Sequence, residues 1–147
     1  MFQDRERRFV ERARVGRLAT ADAKGRPHVV PVCFAFVDDR LVTPIDEKPQ
    51  TASANALRRI RDVEENPRVA LVVDRYSEDW TQLGWVQVRG RATHLASDEP
   101  PHPFAVRALR RKYEQYADHA LEERPIVRIA PDTVRSWGRL ERSFDSR

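Results

Sequence analysis

A chain of 147 residues, 40% hydrophobic with its apolar residues in short clusters, is long enough for one domain with a real core. It has no run near the ~20 apolar residues that a bilayer span needs. Lys and Arg number 27 against 23 Asp and Glu, a net charge of +4, and the two signs are interleaved, which argues against a nucleic-acid-binding block. The lone Cys33 excludes an internal disulfide, and the charged residues 1–14 have no apolar centre of a secretory leader, so a cytoplasmic location is expected.

Residues 2–14 read as a helix with Phe2, Phe9, Val10 and Ala13 on one side, and residues 15–21 alternate as a strand. Residues 22–27 carry turn chemistry: Gly25 tolerates positive φ and Pro27 suits the first position of a strand. Residues 28–37, rich in β-branched and aromatic side chains, predict a second strand, and Asp38-Asp39 turns into a third over residues 40–45. Residues 46–51 form a loop. A helix over residues 52–65 then places Ala56, Leu57, Ile60 and Val63 on one face, and Asn66-Pro67 stops it.

Residues 69–74 are an almost continuous apolar run, as in a buried strand, and residues 76–83 are a polar connection. Alternation resumes at Trp85 and continues toward Leu95. Pro100, Pro101 and Pro103 delay the next helix to Phe104, from which it is expected to run to Ala120. Residues 125–130 and 133–137 read as two last strands. Six or seven strands with helices inserted between hairpins predict one α+β, mainly β, domain over residues 1–147. Its antiparallel sheet would tend to close into a barrel, which removes exposed edges.

Most motifs that carry chemistry are absent. There is no GxSxG, HExxH, paired Cys, Walker lysine motif or GxGxxG. His28, His94, His102 and His119 lack metal-ligand spacing, so no metal site is expected. What remains is a strand, a lysine-bearing loop and a basic helix: Leu41 to Lys48, then Leu57-Arg58-Arg59-Ile60-Arg61. Helical spacing puts Arg58 and Arg61 on one face and Arg59 about 100° away. These arginines read either as a solvated helix face or as a phosphate cradle. Nearly all the positive charge is arginine, with only Lys24, Lys48 and Lys112 as lysines. That fits both a high-GC genome and a basic groove for an anionic ligand.

The order of these pieces resembles the pyridoxamine-phosphate-oxidase-like, FMN-binding split barrels, particularly their actinobacterial F-420-dependent branch. The matching pieces begin with Gly16-Arg17-Leu18-Ala19-Thr20, Gly25-Arg26-Pro27-His28-Val29-Val30-Pro31-Val32 and Leu41-Val42-Thr43. Leu57-Arg58-Arg59 follows, ahead of Glu65-Asn66-Pro67-Arg68-Val69-Ala70-Leu71, and then Trp85-Val86-Gln87-Val88-Arg89-Gly90-Arg91-Ala92. Lys112-Tyr113-Glu114-Gln115-Tyr116 and Val127-Arg128-Ile129-Ala130-Pro131 with Trp137 complete the series, across roughly residues 9 to 138.

The resemblance implies a split β-barrel homodimer with cofactor sites at the subunit interface and a small-molecule substrate, without nucleic-acid or membrane partners. It places Val30, Pro31, Val32, Cys33 and Thr43 beside the flavin ring and Arg58 and Arg59 at its phosphate. Lys48 adds a charge, and Trp85 of the opposing subunit stacks on the ring. Tyr76 or Trp80 would shape the substrate side, and Tyr76 and His28 are candidate proton donors. The family's serine-arginine-lysine stretch stands here as Leu57-Arg58-Arg59. Loss of the serine, with the long loop around Lys48, points to the deazaflavin F-420 as cofactor, with FMN as the alternative. The expected activity is an F-420-dependent oxidoreductase that transfers a hydride to a small organic acceptor. The alternatives are an FMN enzyme or a non-catalytic cofactor or tetrapyrrole carrier.

Overall fold

The computed structural model describes residues 1–45 and 54–141, the side chains of residues 54–56 apart. Helix α1 (Asp4–Arg12) is followed by strands β1 (Gly16–Ala21), β2 (Pro27–Val32), β3 (Ala35–Val37) and β4 (Arg40–Pro44). Helix α2 (Ala54–Glu65) leads to β5 (Arg68–Arg75) and β6 (Gly84–Leu95). Helix α3 (His102–Lys112) precedes the last strand, β7 (Ile126–Gly138).

All seven strands form one antiparallel sheet in the order β2-β1-β5-β6-β7-β4-β3. The two strands at opposite ends of this ladder, β2 and β3, are consecutive in the chain and joined by Cys33-Phe34 alone. Three backbone steps reach no more than about 11 Å. The sheet therefore has to curl until its two edges nearly meet, and the chain itself spans the remaining gap. The result is a half-barrel with a covalently bridged split, the split β-barrel that the sequence reading expects.

Three expectations change for physical reasons. The strand predicted over residues 28–37 is two strands, because the chain leaves one edge of the sheet at Val32 and joins the other at Ala35. The helix predicted to reach Ala120 ends at Lys112, and 3-10 turns take over at Glu114–Asp118 and Leu121–Glu123. Arg110 holds that fold-back: its guanidinium donates to the carbonyls of Tyr116 (3.1 Å) and His119 (2.7 Å) and to Glu122 Oε1 (2.7 Å). The Arg110 hydrogen bonds draw the Glu122 carboxyl down to about 2. Third, the two strands predicted at the C-terminus are one. Pro131 pairs with Gly90 and Thr133 with Arg89, so Asp132 is the extra residue of a bulge. Gly90 is required beside it, since a Cβ there would lie 2.2 Å from the Ala130 carbonyl oxygen.

The main core lies inside the curl, built from Leu18, Leu41, Leu71, Val73, Val86 and Val88 and closed by Phe9 and Val10 of α1 and Val63 of α2. A second core packs α3, through Ala105, Val106 and Leu109, on Val42, Leu95 and Ile126 of the sheet's other face. Strand β4 is buried on both sides, with Leu41 in the first core and Val42 in the second. That accounts for its unalternating apolar sequence.

Candidate functional site

Strand β2 is hydrogen-bonded on one side only, so half of its backbone donors and acceptors face away from the ladder. Pro27 and Pro31 are tolerated in it for that reason. Along its C-terminal half lies a cavity of ≈ 220 Å³ lined by Val15, Val30, Pro31, Val32, Cys33, Pro44 and Arg59. Five residues singled out from the sequence (Val30, Pro31, Val32, Cys33 and Arg59) thus share one cavity, an apolar strip facing one guanidinium.

Val15 and Pro44 were not singled out, although each adjoins a residue that the sequence reading did mark. Thr43 precedes Pro44 and is 1% exposed, and its buried Oγ1 has no hydrogen-bond partner among the described residues. An orphaned buried hydroxyl costs roughly 1–3 kcal/mol. A ligand acceptor or donor reaching it would remove that cost. An apolar strip and one guanidinium fit a group with a flat ring and an anionic arm.

The two adjacent arginines of α2 part company. Arg59 turns to the cavity. The Arg58 guanidinium lies 3.7 Å from the carboxylate of Asp62 and 3.5 Å from the Pro27 carbonyl. Asp62 is itself buried and accepts the hydroxyl of Thr20 at 2.9 Å, so Arg58 helps to stitch α2 onto β1 and β2. The divergence follows from the 100° between successive helical residues.

The end of the cavity at Cys33 rests on α3. Tyr113, just past that helix, places its hydroxyl 3.1 Å from both the N–H and the carbonyl of Phe34 and 2.9 Å from the Arg14 carbonyl. Burial pushes the Tyr113 phenol up to about 12. The ammonium of Lys112 sits 3.8 Å from the centre of the Phe34 ring. Burial first, then the Arg14 charge, brings Lys112 down to about 8. Both stand in the family-like stretch Lys112-Tyr113-Glu114-Gln115-Tyr116, but their contacts with Phe34 are not legible there because Phe34 lies some 80 residues away.

The remaining marked residues lie elsewhere. Trp85 is the second residue of β6 and pairs with Asp74 on one side and Trp137 on the other, on the sheet face turned away from the main core. Tyr76 and Trp80 are exposed. His28 is half-buried on β2 opposite Thr20, with its Nδ1 unpartnered. Lys48 lies outside the described residues. Among the described residues no cluster of His, Cys, Asp and Glu could hold a metal ion, and no helix is long and apolar enough to cross a membrane.

A curled antiparallel sheet with a cavity along one free edge defines the split β-barrel class. The chain belongs to the pyridoxamine 5'-phosphate oxidase family, whose sequence model matches residues 2–138. It is 31% identical over 138 residues to the 5a,11a-dehydrotetracycline/5a,11a-dehydrooxytetracycline reductase of Streptomyces rimosus, covering 93% of this chain and 83% of that protein. Among solved structures, an FAD-binding protein from Mesorhizobium loti superposes with a TM-score of 0.65 at 27% identity, covering 88% of this chain and 87% of that one. The heme storage protein HutZ of Vibrio cholerae shares the fold at a TM-score of 0.67 and 15% identity, covering 90% of each chain.

Proposed function

We propose that the protein is an oxidoreductase that holds a phosphorylated flavin-type cofactor, FMN, along strand β2, from whose reduced form a hydride passes to a small organic acceptor. The observation that carries this reading is the convergence of Val30, Pro31, Val32, Cys33 and Arg59 on one cavity. When bound, such a cofactor supplies two-electron transfer. The chain's own part is to bind and orient it: Val30 to Val32 support the ring, Arg59 pairs the phosphate, and Thr43 offers its idle hydroxyl. Arg58 supports this arrangement from its ion pair with Asp62, and Lys48 adds positive charge.

The reading includes a cytoplasmic homodimer. A cavity of ≈ 220 Å³ is below the ~300–1,000 Å³ that cofactor-sized pockets occupy, so one chain supplies only part of the wall. The outward sheet face carries Val29, 59% exposed, and Trp137, 54% exposed, beside Trp85. A second copy laid on this face would cover them and bring its Trp85 to the ring. The kinship with a reductase supports catalysis over storage.

A second reading, the deazaflavin F-420, is favoured by Leu57. It is 41% exposed on α2 at the place where the family has a serine beside the phosphate.

Titrating the apo-protein in parallel with FMN and F-420, followed by cofactor fluorescence, separates the readings. A preference for FMN of tenfold or more, about 1.4 kcal/mol, is expected. The opposite preference by the same margin moves the assignment to F-420, and failure to bind either overturns both. Tight binding with no turnover of a panel of enones and quinones would make the protein a carrier.

A further inference from the structure

A second cavity, sharing no lining residue with the first, lies between the sheet and the start of α3. Its volume is ≈ 440 Å³, inside the ~300–1,000 Å³ range of small-ligand pockets. Val37, Val42 and Leu95 form its floor, and Pro100, Pro101 and Phe104 form its lid. Pro100 and Pro101, which immediately precede α3, thus line a cavity.

Two arginines reach this otherwise apolar space. Arg128 lies directly opposite Val42 in the β4–β7 ladder, and Arg40 is two residues from Val42 on the same face. The two are therefore diagonal neighbours, roughly 7–8 Å apart at the backbone. Neither guanidinium makes a hydrogen bond or an ion pair with another described residue. Asp38, the turn residue at φ 53°, is the one acid that lines the cavity, so the walls carry one net positive charge. Unpaired like charges on adjacent strands are unfavourable, and an apolar surround strengthens their pull on an anion. At the mouth, Phe104 is 57% exposed and is braced by the Arg107 guanidinium 4.7 Å from its ring centre. It gains cover when the cavity is filled.

We infer that this cavity is a ligand site separate from the cofactor cavity, for a small apolar monoanion such as an aromatic or short-chain carboxylate or sulfonate. Arg128 and Arg40 pair the anionic group through their forked donors. The apolar body lies on Val42 and Leu95 beneath Phe104. Nothing in the inference depends on which cofactor the protein holds.

The test uses the full chain and the aromatic sulfonate 8-anilinonaphthalene-1-sulfonate, whose fluorescence rises in apolar surroundings. A saturable site that depends on Arg40 and Arg128 is expected, distinct from any the probe occupies at the Arg59 cavity, whose lining also suits a ring with an anionic arm. Combining Arg40→Ala with Arg128→Ala should weaken it at least tenfold, and Pro100→Trp, which fills the mouth from an exposed position, should abolish it. Octanoate should displace the probe and octanol should not. Arg59→Ala should leave the Arg40- and Arg128-dependent site unchanged, since Arg59 does not line it. Because Arg40 lies on an exposed hairpin, Arg40→Ala alone, with an expected threefold loss, serves if the double variant unfolds. Unchanged affinity in the arginine variants, equal competition by octanol, or loss of the Arg40- and Arg128-dependent site in Arg59→Ala would each overturn the proposal.

Discussion

The hydroxyl of Tyr113 accepts the backbone N–H of Phe34 at 3.1 Å, across a sequence separation of 79 residues. Phe34 belongs to the two-residue bridge between the edge strands of the sheet, where the chain has no ladder partner on either side. The phenol, with the Phe34 and Arg14 carbonyls also within 3.1 Å, supplies the pairing that the sheet cannot. It fastens the split of the barrel next to Cys33, at the end of the cofactor cavity.

Replacing Tyr113 by Phe removes only that oxygen and leaves the Phe34 N–H without a partner. A loss of about 1–3 kcal/mol in unfolding free energy is expected from urea denaturation. A change within 0.3 kcal/mol would show that water satisfies the bridge equally well.

Arg58 and Arg59 are adjacent in sequence, and their substitutions should separate cleanly. Arg59→Ala should weaken FMN at least tenfold, since Arg59 lines the cavity. Arg58→Ala should leave FMN affinity within twofold and lower stability by up to about 1 kcal/mol, because Asp62 loses a half-exposed cation. Titration and denaturation of both variants give the answer, and the reverse pattern would exchange their roles.

Lys112 makes stability depend on pH in the alkaline range. Its value in the folded state is about 8, against 10.5 for a free lysine. Below pH 8 both states carry the proton, and the folded state bears a partly buried cation. Between about 8 and 10.5 the folded state sheds the proton while the unfolded chain keeps it, so this group's contribution to stability rises with pH. Tyr113 works the other way from pH 10, where the unfolded phenol ionises while the folded one holds its proton to about 12. Thermal midpoints at pH 7.5 and 9.5 should show the native protein gaining relative to Lys112→Met. Parallel curves for the two would mean that the ammonium stays hydrated.

Local order was legible in the sequence wherever short-range chemistry decides it. The turn at Gly25-Arg26-Pro27, the helix stop at Asn66-Pro67 and the alternation from Trp85 follow from φ preferences and side-chain period. The structure reproduces each of them. The errors share one cause. Residues 28–37 have uniform β character, and nothing local shows that the chain changes sheet edge at Cys33-Phe34. Residues 104–120 have helical composition, yet the Arg110 contacts with Tyr116, His119 and Glu122 end the helix early.

The candidate site divides along the same line. Its strip Val30-Pro31-Val32-Cys33 is a contiguous stretch and could be marked from the sequence. The sequence by itself determined the strand and helix segments, the turn positions and the family's residue order, because these depend on neighbours a few residues apart. Only the tertiary structure decided that Arg59 rather than Arg58 faces the cavity, that Thr43 keeps an idle hydroxyl, and that Tyr113 fastens the split. It also decided that Arg40 and Arg128 meet over Val42. Each of these requires residues far apart in the chain to be brought together by the curl of the sheet, and that curl is imposed by a bridge of two residues between its edges.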